Sequence, residues 1–278
     1  MMARQVVSGT PDPPAGFNRP AYAGGPTRAT DADPKAADML DLTVDSHVHT
    51  AFSAGRDSVS LVVAAAEQMG LTELVFCDEA GPETRWMSSY LASIQRAQQR
   101  TDIVLRAGIE VEAIGTDGWL AFPADLGGLD VVSVAVGALP MPSGLAGPQT
   151  VRALVDAGAL TSANVVEMLV TVTARAVERV SRYAPTRLAR PLAFLTRAGF
   201  TDSDIDDAAV AELAAMCRLT NTQVEISERH QAPSARLAAL FAAGGARLVA
   251  ASDARQASEV GRWRHVERVS GDLAPVAG

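Results

Sequence analysis

The sequence predicts an α/β barrel assembled from parallel β/α units. Three observations carry that expectation. From Leu42 onward, short apolar runs alternate with segments of helical periodicity, six or seven times over. The chain has 278 residues, enough for one barrel-sized domain with a large core. Imidazoles and carboxylates stand at the ends of most of the apolar runs, where β/α barrels keep their chemistry.

Composition narrows the class further. Hydrophobic residues make up 48% of the chain and aromatics only 5%, which suits a core of small side chains. The net charge is −8 with the basic residues dispersed, which argues against a nucleic-acid footprint. Cys77 and Cys217 follow no C-x-x-C spacing, so free thiols and a reducing, cytoplasmic setting are expected. No 18-residue apolar run and no basic-then-apolar leader occurs, so neither a membrane span nor a signal segment is expected.

Residues 1–40 precede the alternating pattern. Pro, Gly, Ala, Thr and Asp recur there, as in Pro11-Asp12-Pro13-Pro14 and Gly24-Gly25-Pro26, predicting a disordered arm. The barrel is expected over 41–270 and a loose tail over 271–278. Leu42 and Val44 lead, as a short strand, into Asp45-Ser46-His47-Val48-His49-Thr50. Residues two apart on a strand share a face, so His47 and His49 project together as a chelating pair would. One core and one surface histidine is the alternative reading. Phe52-Ser53-Ala54-Gly55-Arg56 reads as a loop, and Asp57 or Ser58 as the N-cap of a helix over 59–69 closed by Gly70.

The apolar run 74–77 predicts a strand ending at Asp78-Glu79, followed by a helix over 87–100. A strand within 103–112 carries Glu110 and Glu112 on one face. Another strand spans 129–136, followed by a Pro/Gly-rich loop over 137–148. Helical stretches cover 149–158 and 164–182, and 187–196 reads equally as a strand or as a helix start. A helix over 206–218, a strand over 223–227 and a helix over 233–243 follow. The strand 247–251 then ends at Ser252-Asp253, and a last helix covers 257–269. Asp202, Asp204, Asp206 and Asp207 read as a helix-start acid cluster, because the glycine and terminal glutamate of a calcium loop are missing.

These segments, taken in order, resemble the PHP superfamily, named for polymerase and histidinol phosphatase domains. The resemblance rests on Asp45-Ser46-His47-Val48-His49-Thr50 with Phe52-Ser53, Met69-Gly70-Leu71, Cys77-Asp78-Glu79, Gly108-Ile109-Glu110, Asp130-Val131-Val132-Ser133, Val224-Glu225-Ile226 and Ala251-Ser252-Asp253-Ala254. It spans about 41–262. The resemblance implies a distorted (β/α)7 barrel of a kind that typically holds three metal ions and mostly hydrolyses phosphoesters. It also implies His47, His49, Glu110 and Asp253 as ligands of the first metal. Two imidazoles and two carboxylates suit Zn, Fe or Mn.

The chain departs from the family pattern at the other two metals. Gly137 and Arg190 fall where histidines of the second are expected, and Glu79 and Arg255 where histidines of the third are expected. The expectation is therefore one divalent metal ion, with arginine charge in place of the others and a Glu79–Arg255 salt bridge closing one gap. The alternative is neutral decay of a lost site. His230, Glu79 and Glu112 are the candidates for moving protons, and Arg190, Arg255 and Arg229 for holding a small anionic substrate. His230 reads equally as a solvated loop residue, and Glu112 also as a partner supporting the ligands. His265 reads as part of a solvated helix face, and Trp86 and Trp119 as core or rim packing. A mononuclear hydrolase is the leading function. A lyase or iron-dependent oxidative enzyme, or a non-catalytic ligand- or partner-binding barrel, is the alternative.

Overall fold

The structure, a computed structural model, describes residues 40–274. The predicted arm therefore lies outside the described residues except for Leu40, which is buried against a small cluster that includes Ile226 and Val266.

Seven parallel strands form the frame. They are β1 (Val44–Val48), β2 (Glu73–Glu79), β3 (Val104–Glu112), β4 (Val131–Ala135), β7 (Thr186–Leu188), β8 (Gln223–Ser227) and β9 (Arg247–Ala251), hydrogen-bonded in that order. Between β4 and β7 a two-stranded hairpin is inserted, β5 (Leu139–Met141) with β6 (Gly144–Ala146). The predicted 137–148 loop is corrected by this hairpin, whose short strands are hidden by Pro140 and by the glycines around them.

The seam between first and last strands is closed by backbone and side chain together. Asp253 N–H donates to His47 O at 2.9 Å and His49 N–H donates to Ala254 O at 2.9 Å. The buried Asp45 accepts from Ser252 N at 2.9 Å and from Gly261 N at 3.1 Å. The result is a nearly closed (β/α)7 barrel, as predicted.

Helices fill the outside: α1 (Val59–Gln68), α2 (Met87–Gln98), α3 (Pro148–Asp156), α4 (Ser162–Ser181), α5 (Ala193–Arg197), α6 (Asp207–Leu219), α7 (Ala235–Ala243) and α8 (His265–Leu273). Their starts follow the capping chemistry in the sequence. Ser58 rather than Asp57 caps α1, accepting from Leu61 N, and Asp206 caps α6. Strand alternation sorts the side chains. Ile109, Val111, Val132, Val134, Leu188 and Val224 join the main core, which the helices share, whereas Val75, Cys77 and Val131 form a separate small cluster.

The undecided stretch 187–196 holds both elements, the three-residue β7 and then α5. The predicted last helix is replaced by a short 3-10 turn (Ala257–Glu259) and, after Gly261, by α8, which runs to Leu273, past the expected boundary at 270. His265 is not on a solvated face. It is buried, with Nε2 2.9 Å from Pro233 O. No helix among the described residues is long and apolar enough to cross a membrane.

Candidate metal centre

The residues at the C-terminal ends of β1, β3 and β9 converge. The His47 and His49 rings lie with centroids 4.9 Å apart. Ligand atoms of His47, His49 and Glu110 all come within 4.8 Å of one another, and all three residues are buried. His47 Nε2 is 3.2 Å from Glu110 Oε2. His49 Nε2 is 3.3 Å from Asp253 Oδ1, and His230 Nε2 is 3.2 Å from Asp253 Oδ2. Asp253 thus joins the two loops that follow β8 and β9.

The donor atoms are largely unused by the protein. Among the described residues, nine buried side-chain nitrogen and oxygen atoms have no hydrogen-bond partner. Six of them are His47 Nε2, both ring nitrogens of His49, Glu110 Oε1, Asp253 Oδ1 and His230 Nε2. The ion-pair contacts above therefore lack the alignment of hydrogen bonds. A buried polar group left unpaired costs about 1–3 kcal/mol. Six in one place form a donor set that fits a cation.

The charges agree with that fit. Burial works against the Glu110 carboxylate, yet the Arg190 guanidinium and His47 hold its pKa below the usual carboxylate range. Burial likewise opposes ionised Asp253, and contacts from His230 and His49 hold its pKa well below the ordinary value. Both are anionic donors at neutral pH.

His47 is held from behind. His47 Nδ1 lies 3.0 and 3.1 Å from the two oxygens of the buried Glu225 on β8. Ser133 Oγ donates to Glu225 Oε1 at 3.0 Å. Arg187, buried on β7, donates to Ser46 O at 2.6 Å and to Gln223 Oε1 at 2.9 Å. The sequence analysis did not single out Glu225, Ser133 or Arg187 as site residues. Ser133 and Glu225 lie in segments that carry the resemblance, but nothing there gives either a role, and Arg187 stands in a strand of only three residues.

Arg190 fills the side of the centre toward β3 and β7. Its Nη1 donates to Glu110 Oε2 at 2.6 Å and its Nη2 to Glu112 Oε1 at 3.0 Å. Glu112 Oε2 accepts in turn from Gly137 N at 2.6 Å. A Cβ at Gly137 would stand 2.7 Å from Glu112 Oε1, so a larger residue there would push the Glu112 carboxylate from this position. Arg190 and Asp253 both carry positive φ, 37° and 54°, backbone states that cost about 1–3 kcal/mol and cluster at functional sites.

The remaining candidates are spread around the rim. Arg255 Nη2 meets Glu79 Oε1 at 3.0 Å, and both side chains are partly open to solvent. Arg229 does not join the His47–His49–Glu110 cluster. It pairs with Glu259 at 3.2 Å along an outer cavity of about 670 Å³ lined by Met69, Trp263 and Arg262, among others. Asp78 clamps the loop after His49, accepting from Thr50 N, Thr50 Oγ1 and Ser53 Oγ. Asp57 is likewise used, accepting from Ala257 N at 2.7 Å. Trp86 packs against Phe52 and Tyr90, and Trp119 lies on the surface beneath Arg179.

No protein-family model matches the sequence, and no curated protein matches it. Among solved structures, the chain is similar to histidinol phosphate phosphatase from Lactococcus lactis subsp. lactis Il1403, crystallised with Zn, L-histidinol and phosphate. The TM-score is 0.57 at 15% identity, covering 83% of this chain and 92% of that one. The barrel therefore has the fold of that protein.

Proposed function

We propose that the protein is a metal-dependent hydrolase of PHP type acting on a small anionic molecule. A single divalent ion (Zn, Fe or Mn) would be held by His47, His49, Glu110 and Asp253. The observation that carries this reading is the convergence of unpartnered buried donors on those residues. The structural neighbour, crystallised with Zn, L-histidinol and phosphate, supports the chemistry. A divalent cation in such a site supplies Lewis-acid polarisation and lowers the pKa of a bound water.

The protein's own groups supply the rest. Arg190 occupies Glu110 Oε2, which leaves Oε1 as the free oxygen, and its charge stands where a second cation would share that carboxylate. Of the three proton-transfer candidates, Glu112 has both oxygens engaged and Glu79 is paired with Arg255. His230 keeps an unpartnered ring nitrogen beside Asp253 and a side chain one-fifth exposed, so it takes or delivers the proton. Arg255, with Nε unpartnered, would hold the substrate anion.

Elemental analysis of protein purified without added metal tests the reading, together with hydrolysis of p-nitrophenyl phosphate. About one equivalent of metal is expected, with His47→Ala losing metal and activity together. Absence of bound metal, or a His47→Ala variant with full activity, would sink the proposal. Two or three equivalents would overturn the single-ion part of it. In His230→Gln, kcat should fall about 10²–10⁴-fold with the metal retained. An unchanged kcat would remove His230 from the mechanism.

A further inference from the structure

Glu225 is an acidic residue in the middle of β8, 1% exposed, on the face it shares with Gln223 and Ser227, with Val224 and Ile226 turned the other way into the core clusters. It sits behind His47, with Oε1 at 3.1 Å and Oε2 at 3.0 Å from Nδ1. The other prominent contact is Ser133 Oγ, donating to Oε1 at 3.0 Å. Burying a carboxylate is costly unless charge and hydrogen bonds compensate, so an isolated one is not kept there for packing.

A carboxylate can only accept, so this geometry requires the proton of neutral His47 to be on Nδ1. The lone pair is then on Nε2, the atom that is buried, unpartnered and turned toward Glu110. The same contact fixes the ring about its χ angles, because both carboxylate oxygens bracket one nitrogen. His49 has no such support, since neither of its ring nitrogens has a hydrogen-bond partner.

Resting on the metal-centre reading above, we propose that Glu225 is the positioning residue of this centre, with Ser133 orienting it. It selects the His47 tautomer that presents Nε2 to the cation and raises the basicity of that nitrogen. Partners of this kind behind a ligating imidazole are worth about 10–100-fold in metal affinity. Glu225→Gln keeps the volume and one acceptor but removes the charge and half of the bracket.

The test is zinc titration of wild type, Glu225→Gln and Ser133→Ala, with imidazole N–H resonances of the zinc-loaded proteins read by NMR after 15N-histidine labelling. In wild type, His47 should show a solvent-protected, strongly downfield Nδ1–H. In Glu225→Gln that resonance should move upfield or exchange away, and the zinc Kd should rise about 10–100-fold. Ser133→Ala should weaken zinc in the same direction by less, and it decides the matter should Glu225→Gln fail to fold. A carboxylate that merely stabilised the barrel would change Tm and leave both Kd and the Nδ1–H signal as they were, overturning the proposal. Failure of the wild type to take up zinc would instead overturn the metal centre itself, and this inference with it.

Discussion

Arg190 shows how much one residue can be asked to do. It lies just before Pro191 with φ 37°, a backbone state that the following proline makes harder to reach. Its guanidinium spans two carboxylates, one of them fully buried. Removing one member of a buried pair leaves the other charge uncompensated, at about 3–5 kcal/mol. Arg190→Met should therefore lower Tm by roughly 6–20 °C in metal-free protein, at about 2–4 °C per kcal/mol for a domain of this size. Arg190→Lys should recover little of it, because an ammonium cannot fork across Glu110 and Glu112. Calorimetry of the two variants checks this, and an Arg190→Met protein within 2 °C of wild type would refute the clamp. The sequence marks Arg190 only as a departure from a family pattern. That the arginine is held by Glu112, and that Glu112 is held in turn by the Gly137 N–H, emerges only where β3, β4 and β7 lie side by side.

At the scale of elements, α8 is the instructive case. The periodicity of 257–269 predicts one helix. Instead Gly261, with φ 63°, reverses the chain, and its N–H is taken by Asp45 across the barrel seam. The helix begins afresh at His265, where Glu228 Oε2 accepts from the N–H groups of Arg264, His265 and Val266. Local periodicity cannot register a cap supplied from another strand end. The new start also buries His265. Burial lowers the pKa of its imidazole from the ordinary value, with Arg268 adding to this and Pro233 O and Glu228 opposing it. A histidine with a depressed folded pKa takes up its proton more readily in the unfolded chain. Its contribution is intact above the ordinary pKa near ~6.5 and is lost as pH falls through that value toward the folded one. Wild type should thus lose more stability between pH 7 and pH 5 than His265→Gln, which keeps a donor for Pro233 O. Equal losses in denaturant titrations of the two proteins would show that His265 does not couple α8 to pH.

The barrel as a whole was legible because its strands are written as short apolar runs bounded by turn residues and polar ends. β7 escaped assignment because a three-residue strand, Thr186–Leu188, carries too little pattern to separate it from the helix that follows. In the site, His47, His49, Glu110 and Asp253 are singled out through the family resemblance together with their places near strand ends, and the structure brings His47, His49 and Glu110 together with Asp253 beside His49. Glu225 and Ser133 lie in the segments that carry the resemblance, but their role, and that of Arg187, could not be read, because it takes the closed barrel to bring β4, β7 and β8 behind β1. That closure also predicts what the cation does for the molecule. Glu110, Asp253 and two imidazoles are folded around unused donor atoms, so the metal-free barrel carries their desolvation cost without recompense. A ligand that binds only the folded chain stabilises it by RT ln(1 + [L]/Kd), about 2.7 kcal/mol at a hundredfold excess over Kd. For a domain of this size that is about 5–11 °C in Tm. Chelator-treated protein should therefore melt lower by that amount and recover with zinc. Glu110→Gln, which removes the shared carboxylate, should respond much less. A Tm that is indifferent to zinc in the wild type would mean that the converging donors are not a cation site at all.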